Sequence, residues 1–294
     1  MPQERKNMIE TFIRKPNSRT RLTYHDGSLP YFSFPHLDEA GIINGVTTKR
    51  GGVSEGYYAF LNMACLKESE EIVRENYRRV AEALGFDEKK AVLSYQTHST
   101  GIRLISEEDA GKGPFFARDY TDTDGLLTDL SGYTLVVLSA DCPLLLFYDP
   151  VNRAVGAAHS GWKGTVNGMA CEMVQRMHRE FGTNGEDLLV GISPSICRDC
   201  YEVSSDVAEQ FEARYGYYRF DQLAERKENG KFQLDLWKAN EFNLLEAGVD
   251  KKNILTTDVC TKCNPDLFYS HRVMGEKRGT FAALIGLPKD AKTI

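Results

Sequence analysis

Long apolar runs are missing from this sequence. Met1 to Pro30 interleaves Arg, Lys, Asn and Ser with scattered apolar residues, so no stretch there has signal-peptide length. Nowhere does the chain approach the ~20 consecutive apolar positions of a membrane span. The expectation is a cytoplasmic protein without a membrane partner. An excess of basic charge is missing as well. The 36 Lys+Arg stand against 42 Asp+Glu, a formal charge of −6, which removes the global footprint of a nucleic-acid binder and leaves room only for a local basic patch. No internal repeat, low-complexity tract or Pro/Gly/Ser-rich linker divides the 294 residues. One domain over residues 41–287 is therefore expected, with residues 1–40 as an extension packed on it or leading into it. The most polar stretch, Arg219 to Lys231, reads as an exposed connection or helix end. An even set of cysteines is the last absence. Seven are present, so at least one has no disulfide partner, and in a reducing compartment all seven are first read as thiols, thiolates or metal ligands.

Helical and extended patterns alternate. Glu70 to Leu84 carries an apolar stripe that stops at Gly85, and Thr165 to Phe181 a second one, with Met169, Met173, Val174 and Met177, that stops at Gly182. Val207 to Tyr215 and Leu236 to Ala247 also read as helices. Tyr133 to Ser139, Leu144 to Tyr148, Ala154 to Ala158, Leu188 to Ile192 and Thr280 to Ile285 read as buried strands. The class is α/β (mixed α+β), a compact domain with a mixed sheet flanked by helices.

The most informative stretch is Ser139 to Asn167. Asp149-Pro150-Val151-Asn152 has the composition of a β-turn between two apolar strands, which predicts a hairpin. If Asp149 pairs with Asn152, paired positions sum to 301, as do Cys142 and His159. Those two would then face each other across the open end of the hairpin, with Cβ atoms roughly 4.5–5.5 Å apart, a separation that suits two ligands of one metal ion. A bulge or a different turn would shift this register. A thiolate and an imidazole suit zinc. The alternative is a small core cysteine beside a hydrogen-bonded buried histidine. His98, after the apolar run Ala91-Val92-Leu93, would also sit at a strand end and is the candidate third ligand.

Taken together, QTHS, TDTDGLLTD, ADCPLLLFYDP, AAHSGWKGTVNGM and FYSHR resemble the YfiH/laccase-domain family over about Gly41 to Leu287. That family includes purine nucleoside phosphorylases, proteins first described as multi-copper polyphenol oxidoreductases, and a peptidoglycan editing factor. The resemblance implies a mixed α/β fold and a zinc site made by His98, Cys142 and His159. It implies phosphate-dependent cleavage of purine nucleosides with adenosine deamination, or copper-dependent phenol oxidation at the same ligands. Copper would compete for such donors under the Irving–Williams order. The chain departs from the family pattern at Lys163 and Lys49, where Arg is usual, and at Ser160, where Ala is usual.

Three protein ligands leave a fourth position for water or substrate. Water attacking C6 of adenine is the chemistry of other zinc deaminases. Asp141, beside Cys142, is the candidate general acid or base, or else a turn cap. As a strand neighbour it would point to the opposite face unless the strand has ended. Phosphorolysis needs a phosphate site, for which Lys49-Arg50-Gly51-Gly52 and Gly161-Trp162-Lys163-Gly164-Thr165 are candidates, the second leading into a helix N-terminus. Trp162 could stack on a purine or simply pack, and Arg272 could reach substrate or form a structural ion pair. Asp122, Asp124 and Asp129 lack EF-hand spacing and read as turn chemistry around Gly125, with one of them a possible support for the site through the resemblance. Cys197-x-x-Cys200 and Cys260-x-x-Cys263 read first as ordinary thiols and second as a structural zinc site, because 60 residues separate the pairs. Cys65 and Cys171 carry no motif. Two further readings remain: a hydrolase with Cys142 as nucleophile and His159 as base, and a binding role in cell-wall precursor quality control.

Overall fold

The computed structural model describes residues 12–15, 21–65 and 68–289. The parts of the expected extension at 1–11 and 16–20 lie outside the described residues. Eleven of its remaining residues lie in regular elements: Thr23–His25 and Tyr31–Ser33 are strands and Pro35–Glu39 is a short helix.

Twelve strands among the described residues form two six-stranded mixed sheets. The first has the order Thr23–His25, Tyr31–Ser33, Ile43–Thr47, Phe281–Gly286, Thr134–Ser139, Ala91–Leu93. The second has the order Ile254–Thr256, Leu189–Ile192, Leu144–Asp149, Ala154–His159, Gly125–Thr128, Ile102–Leu104. Side-chain alternation explains how they stack. In Thr134–Ser139, Leu135 and Val137 join Ala283 and Ile285 on one face, against Leu144, Leu146, Val155 and Ala157 of the second sheet. On the opposite face Val136, Ala282 and Leu284 pack under Val73, Tyr77 and Val80 of the helix Glu70–Leu84. The outer face of the second sheet, with Leu127, Leu145, Phe147 and Ala158, is covered by Met169, Met173, Val174 and Met177 of the helix Met169–Phe181. The result is four layers, helix, sheet, sheet, helix. Both sheets are covered on both faces, so their strands are near-continuous apolar runs even though most pairs are antiparallel.

The helix Glu70–Leu84 runs as expected, from its Ser69 cap to Gly85 at φ 78°. The expected helix from Thr165 to Phe181 is two helices, Trp162–Val166 and Met169–Phe181, because Gly168 adopts φ 81° between them. The polar stretch Arg219 to Lys231 is not a plain connection. Phe220 and Leu223 of the helix Tyr217–Leu223 turn inward with Phe232, and Ala224–Arg226 and Phe232–Leu234 form a small third sheet with Glu202–Val203. Its charged residues occupy only the solvent side. No helix among the described residues is long and apolar enough to cross a membrane.

The hairpin forms with a different register. Leu144 pairs with His159 and Asp149 with Ala154, so paired positions sum to 303 instead of 301. The turn holds four residues because the Asp149 carboxylate accepts from Val151 N at 2.8 Å and Asn152 N at 3.0 Å, while Arg153 adopts φ 52°. Cys142 and His159 are therefore not directly opposed. A shift of two residues preserves the face, and Cys142 still stands just beyond the strand end, next to His159.

Candidate metal centre

His98, Cys142 and His159 converge at one end of the sheet pair. One donor atom from each lies within 4.8 Å of the others, and the two imidazole rings meet edge to face with centroids 4.9 Å apart. The chain around them is shaped for this convergence. His98 sits at φ 66° and Asp141, before Cys142, at φ 99°, conformations that L-residues adopt only when their surroundings enforce them. Gly161 leaves the necessary space: a Cβ there would stand 3.0 Å from Cys142 Sγ, 3.2 Å from His98 Cδ2 and 3.4 Å from His159 Cε1.

The residue that enforces this geometry is Asp124. Fully buried, it accepts from the backbone N–H groups of Thr97 at 2.8 Å, His98 at 3.1 Å and Ser99 at 3.1 Å, and from Ser99 Oγ at 3.2 Å. Its Oδ1 also lies 2.8 Å from His159 Nδ1, which leaves His159 Nε2 to face the other donors. One carboxylate thus holds the His98 loop and orients the His159 ring, the supporting arrangement seen around metal-ligating histidines. Burial pushes its acidity down, but hydrogen bonds from His159 and the backbone outweigh burial and hold its carboxyl below the usual range. For Cys142, burial disfavours the thiolate, yet the neighbouring His159 and His98 bring the thiol down to about 6. For His159, burial disfavours the cation, yet Cys142 and Asp124 push it up to about 9. A thiolate and two imidazoles with donor atoms within 4.8 Å of one another, and with the nitrogen of one ring fixed from behind, fit a tetrahedral borderline-soft metal with one position open.

The site opens into a cleft of about 430 Å³. Its lining includes Tyr95, Gln96, Cys65 and two cations, Arg118 and Arg278. The Arg118 guanidinium lies over the Tyr95 ring at 4.6 Å and donates to the Ser94 carbonyl. Neither arginine sits in a motif that would single it out by sequence.

The other residues expected at the site are distributed differently. The Asp141 carboxylate is turned away into the protein. Its Oδ1 accepts from Thr261 Oγ1 at 2.6 Å, and its Oδ2 from Ser270 Oγ at 3.0 Å and Arg272 N at 2.7 Å. The strand has ended before it, but the φ of 99° points its side chain at these partners. Arg272 places its guanidinium over Tyr201 at 5.3 Å and donates to the Glu202 carbonyl at 2.9 Å. Arg50 donates to the Asp266 carbonyl at 3.2 Å, and Lys49 is half-buried with its amine pushed down by burial. Trp162 packs on the cluster around Phe211 and Leu236, while Lys163 is exposed with its ammonium 5.6 Å from the Trp162 ring. None of these six lines the cleft.

Residues 43–288 match the family model described as multi-copper polyphenol oxidoreductase laccase. The chain is 35% identical over 251 residues to purine nucleoside phosphorylase YlmD of Bacillus subtilis, covering 84% of this chain and 88% of that protein. It is 32% identical over 262 residues to adenosine deaminase RL5 from an unknown prokaryotic organism, covering 84% and 97%. The crystal structure of the Bacillus licheniformis hypothetical protein YfiH superposes with a TM-score of 0.84 at 32% identity, over 90% of this chain and 98% of that one. Likeness of this extent in sequence and in fold leaves the chain a member of the multi-copper polyphenol oxidoreductase laccase family, the family of YfiH and YlmD.

Proposed function

We propose that this protein is a zinc-dependent purine nucleoside phosphorylase that also deaminates adenosine, with purine nucleosides and inorganic phosphate as its small-molecule partners. The observation that carries the reading is the convergence of His98, Cys142 and His159 on a cleft that also holds Arg118 and Arg278. The relatives named purine nucleoside phosphorylase and adenosine deaminase support the same reading. A zinc ion held by the three donors would supply a Lewis acid with one open coordination position.

The remaining work falls to the chain. Asp124 fixes His159 Nδ1 and the His98 loop, so the donors are in place before substrate arrives. Arg118, already braced on Tyr95, and Arg278 line the cleft and would bind the phosphate that attacks the ribose. Tyr95 and Gln96 offer a flat ring and an amide to a purine, although the Gln96 amide is engaged with Leu138 N and O at 2.7 Å each. Asp141, with both oxygens satisfied elsewhere, acts by positioning Cys142.

The test is direct. Protein purified without added copper is assayed for metal, then incubated with inosine or adenosine with and without phosphate. Zinc-loaded protein should release hypoxanthine or adenine only with phosphate, and Cys142→Ala should lose that activity. Zinc-loaded protein that releases no base would overturn the proposal. One set of contacts favours a second reading: Cys142, His159 and Asp124 also form a nucleophile, base and orienting-acid series. Hydrolysis that survives complete metal stripping would select that alternative.

A further inference from the structure

The two C-x-x-C pairs, 60 residues apart in sequence, meet in the fold. The strands Leu189–Ile192 and Ile254–Thr256 are parallel neighbours, so the segments that leave them travel together. Thr257 N donates to Ile192 O at 3.0 Å, Ser195 bridges to Cys260, and Thr261 N donates to Ser195 O at 3.1 Å. The first segment then closes a tight turn, with Cys200 N on Cys197 O at 3.0 Å. All four sulfurs of Cys197, Cys200, Cys260 and Cys263 lie within 4.8 Å of one another, and Cys200 Sγ and Cys263 Sγ are 3.5 Å apart. No disulfide joins them.

Zinc–sulfur bonds of ~2.3 Å in a tetrahedron put the sulfurs about 3.8 Å apart, close to the size of this cluster. Cys197 N also points at Cys260 Sγ at 3.3 Å, a backbone donor aimed at a sulfur that would carry negative charge. Lys15, which meets Asp199 of the same turn at 3.0 Å, brings a cation to the edge of the cluster.

We propose that Cys197, Cys200, Cys260 and Cys263 form a second, structural zinc site, separate from the His98–Cys142–His159 centre. Four thiolates fill the coordination sphere and leave no position for substrate, the pattern of a structural ion. Binding exchanges thiol protons for the metal and changes no oxidation state. The site fastens together the two loops that hold Asp141: Ile196 N donates to Asp141 O at 2.8 Å, and Thr261, between the two ligands of its loop, donates to Asp141 Oδ1. The metal would therefore stiffen the backbone that presents Cys142 without touching the cleft. This inference stands whether or not the protein is a phosphorylase.

Zinc per chain decides it. His98→Ala/Cys142→Ala protein, which has lost two of three cleft donors, should retain one zinc per chain through gel filtration. Adding Cys200→Ser/Cys263→Ser to it should remove that zinc. In the cobalt-substituted His98→Ala/Cys142→Ala protein, thiolate-to-cobalt charge-transfer absorption should be present, and thiol reagents should find four cysteines protected until the metal is stripped. If the four-fold variant does not fold, the retained zinc and the protected thiols of the cleft variant still decide the matter. A cleft variant free of metal, iron in place of zinc, or a Cys200–Cys263 disulfide in the unreduced protein would each overturn the proposal.

Discussion

Asp124 is a fully buried carboxylate with five hydrogen-bond donors around it. An ionised group out of water is tolerated only when it is paired and hydrogen-bonded this completely. Because two of the three candidate donors depend on it, the proposed zinc site requires that Asp124→Asn weaken zinc binding by roughly 10–100-fold, read by competition with a chromogenic chelator. In the sequence it was one of three acids in a turn, and nothing local distinguishes it from Asp122 or Asp129; its role depends on Thr97–Ser99 and His159 arriving from elsewhere. The same holds for Arg118 and Arg278, which reach the cleft from segments with no motif. Charge-assisted hydrogen bonds contribute about 1.5–3 kcal/mol, so the proposed phosphorolysis requires that Arg118→Ala and Arg278→Ala each raise KM for phosphate by roughly tenfold or more, with a smaller effect on KM for nucleoside, measured in steady-state assays of base release.

Strands and helices were legible where periodicity is strong. Glu70–Leu84 shows its stripe and its stop, and the apolar runs at residues 134–139, 144–149 and 281–286 can only be buried strands. What escaped the sequence was how elements end and meet. Asp149 caps two backbone N–H groups and lengthens the hairpin turn, which moved the register by two. The C-x-x-C pairs converge because Leu189–Ile192 and Ile254–Thr256 lie parallel, with Val190 beside Ile254, a pairing invisible in local pattern. Contact between elements is equally specific at Gly191, in the second sheet. A Cβ there would stand 2.8 Å from three ring atoms of Phe34, which is fully buried at the entry to the helix Pro35–Glu39. Gly191→Ala should cost about 1–3 kcal/mol through overpacking, read as a lower urea midpoint with an unchanged slope.

For the whole molecule, the decisive arrangement is the place of Phe281–Gly286. Every residue of this strand is buried, and it lies between Ile43–Thr47 and Thr134–Ser139, pairing Ala283 with both Val46 and Val137. It also supplies Phe281, Ala283 and Ile285 to the core between the sheets and Ala282 and Leu284 to the layer under Glu70–Leu84. A chain stopped at Thr280 should therefore be digested rapidly by a broad-specificity protease under conditions in which the full chain resists, since three layers lose packing together. Synthesis runs from the N-terminus, so a ribosome that has reached the end of the helix His271–Met274 still holds a protein whose first sheet is in two unjoined parts. All three cleft donors have by then been made, yet the first sheet closes only when Phe281–Gly286 slides in, so assembly of the centre waits for residues far downstream of its own donors.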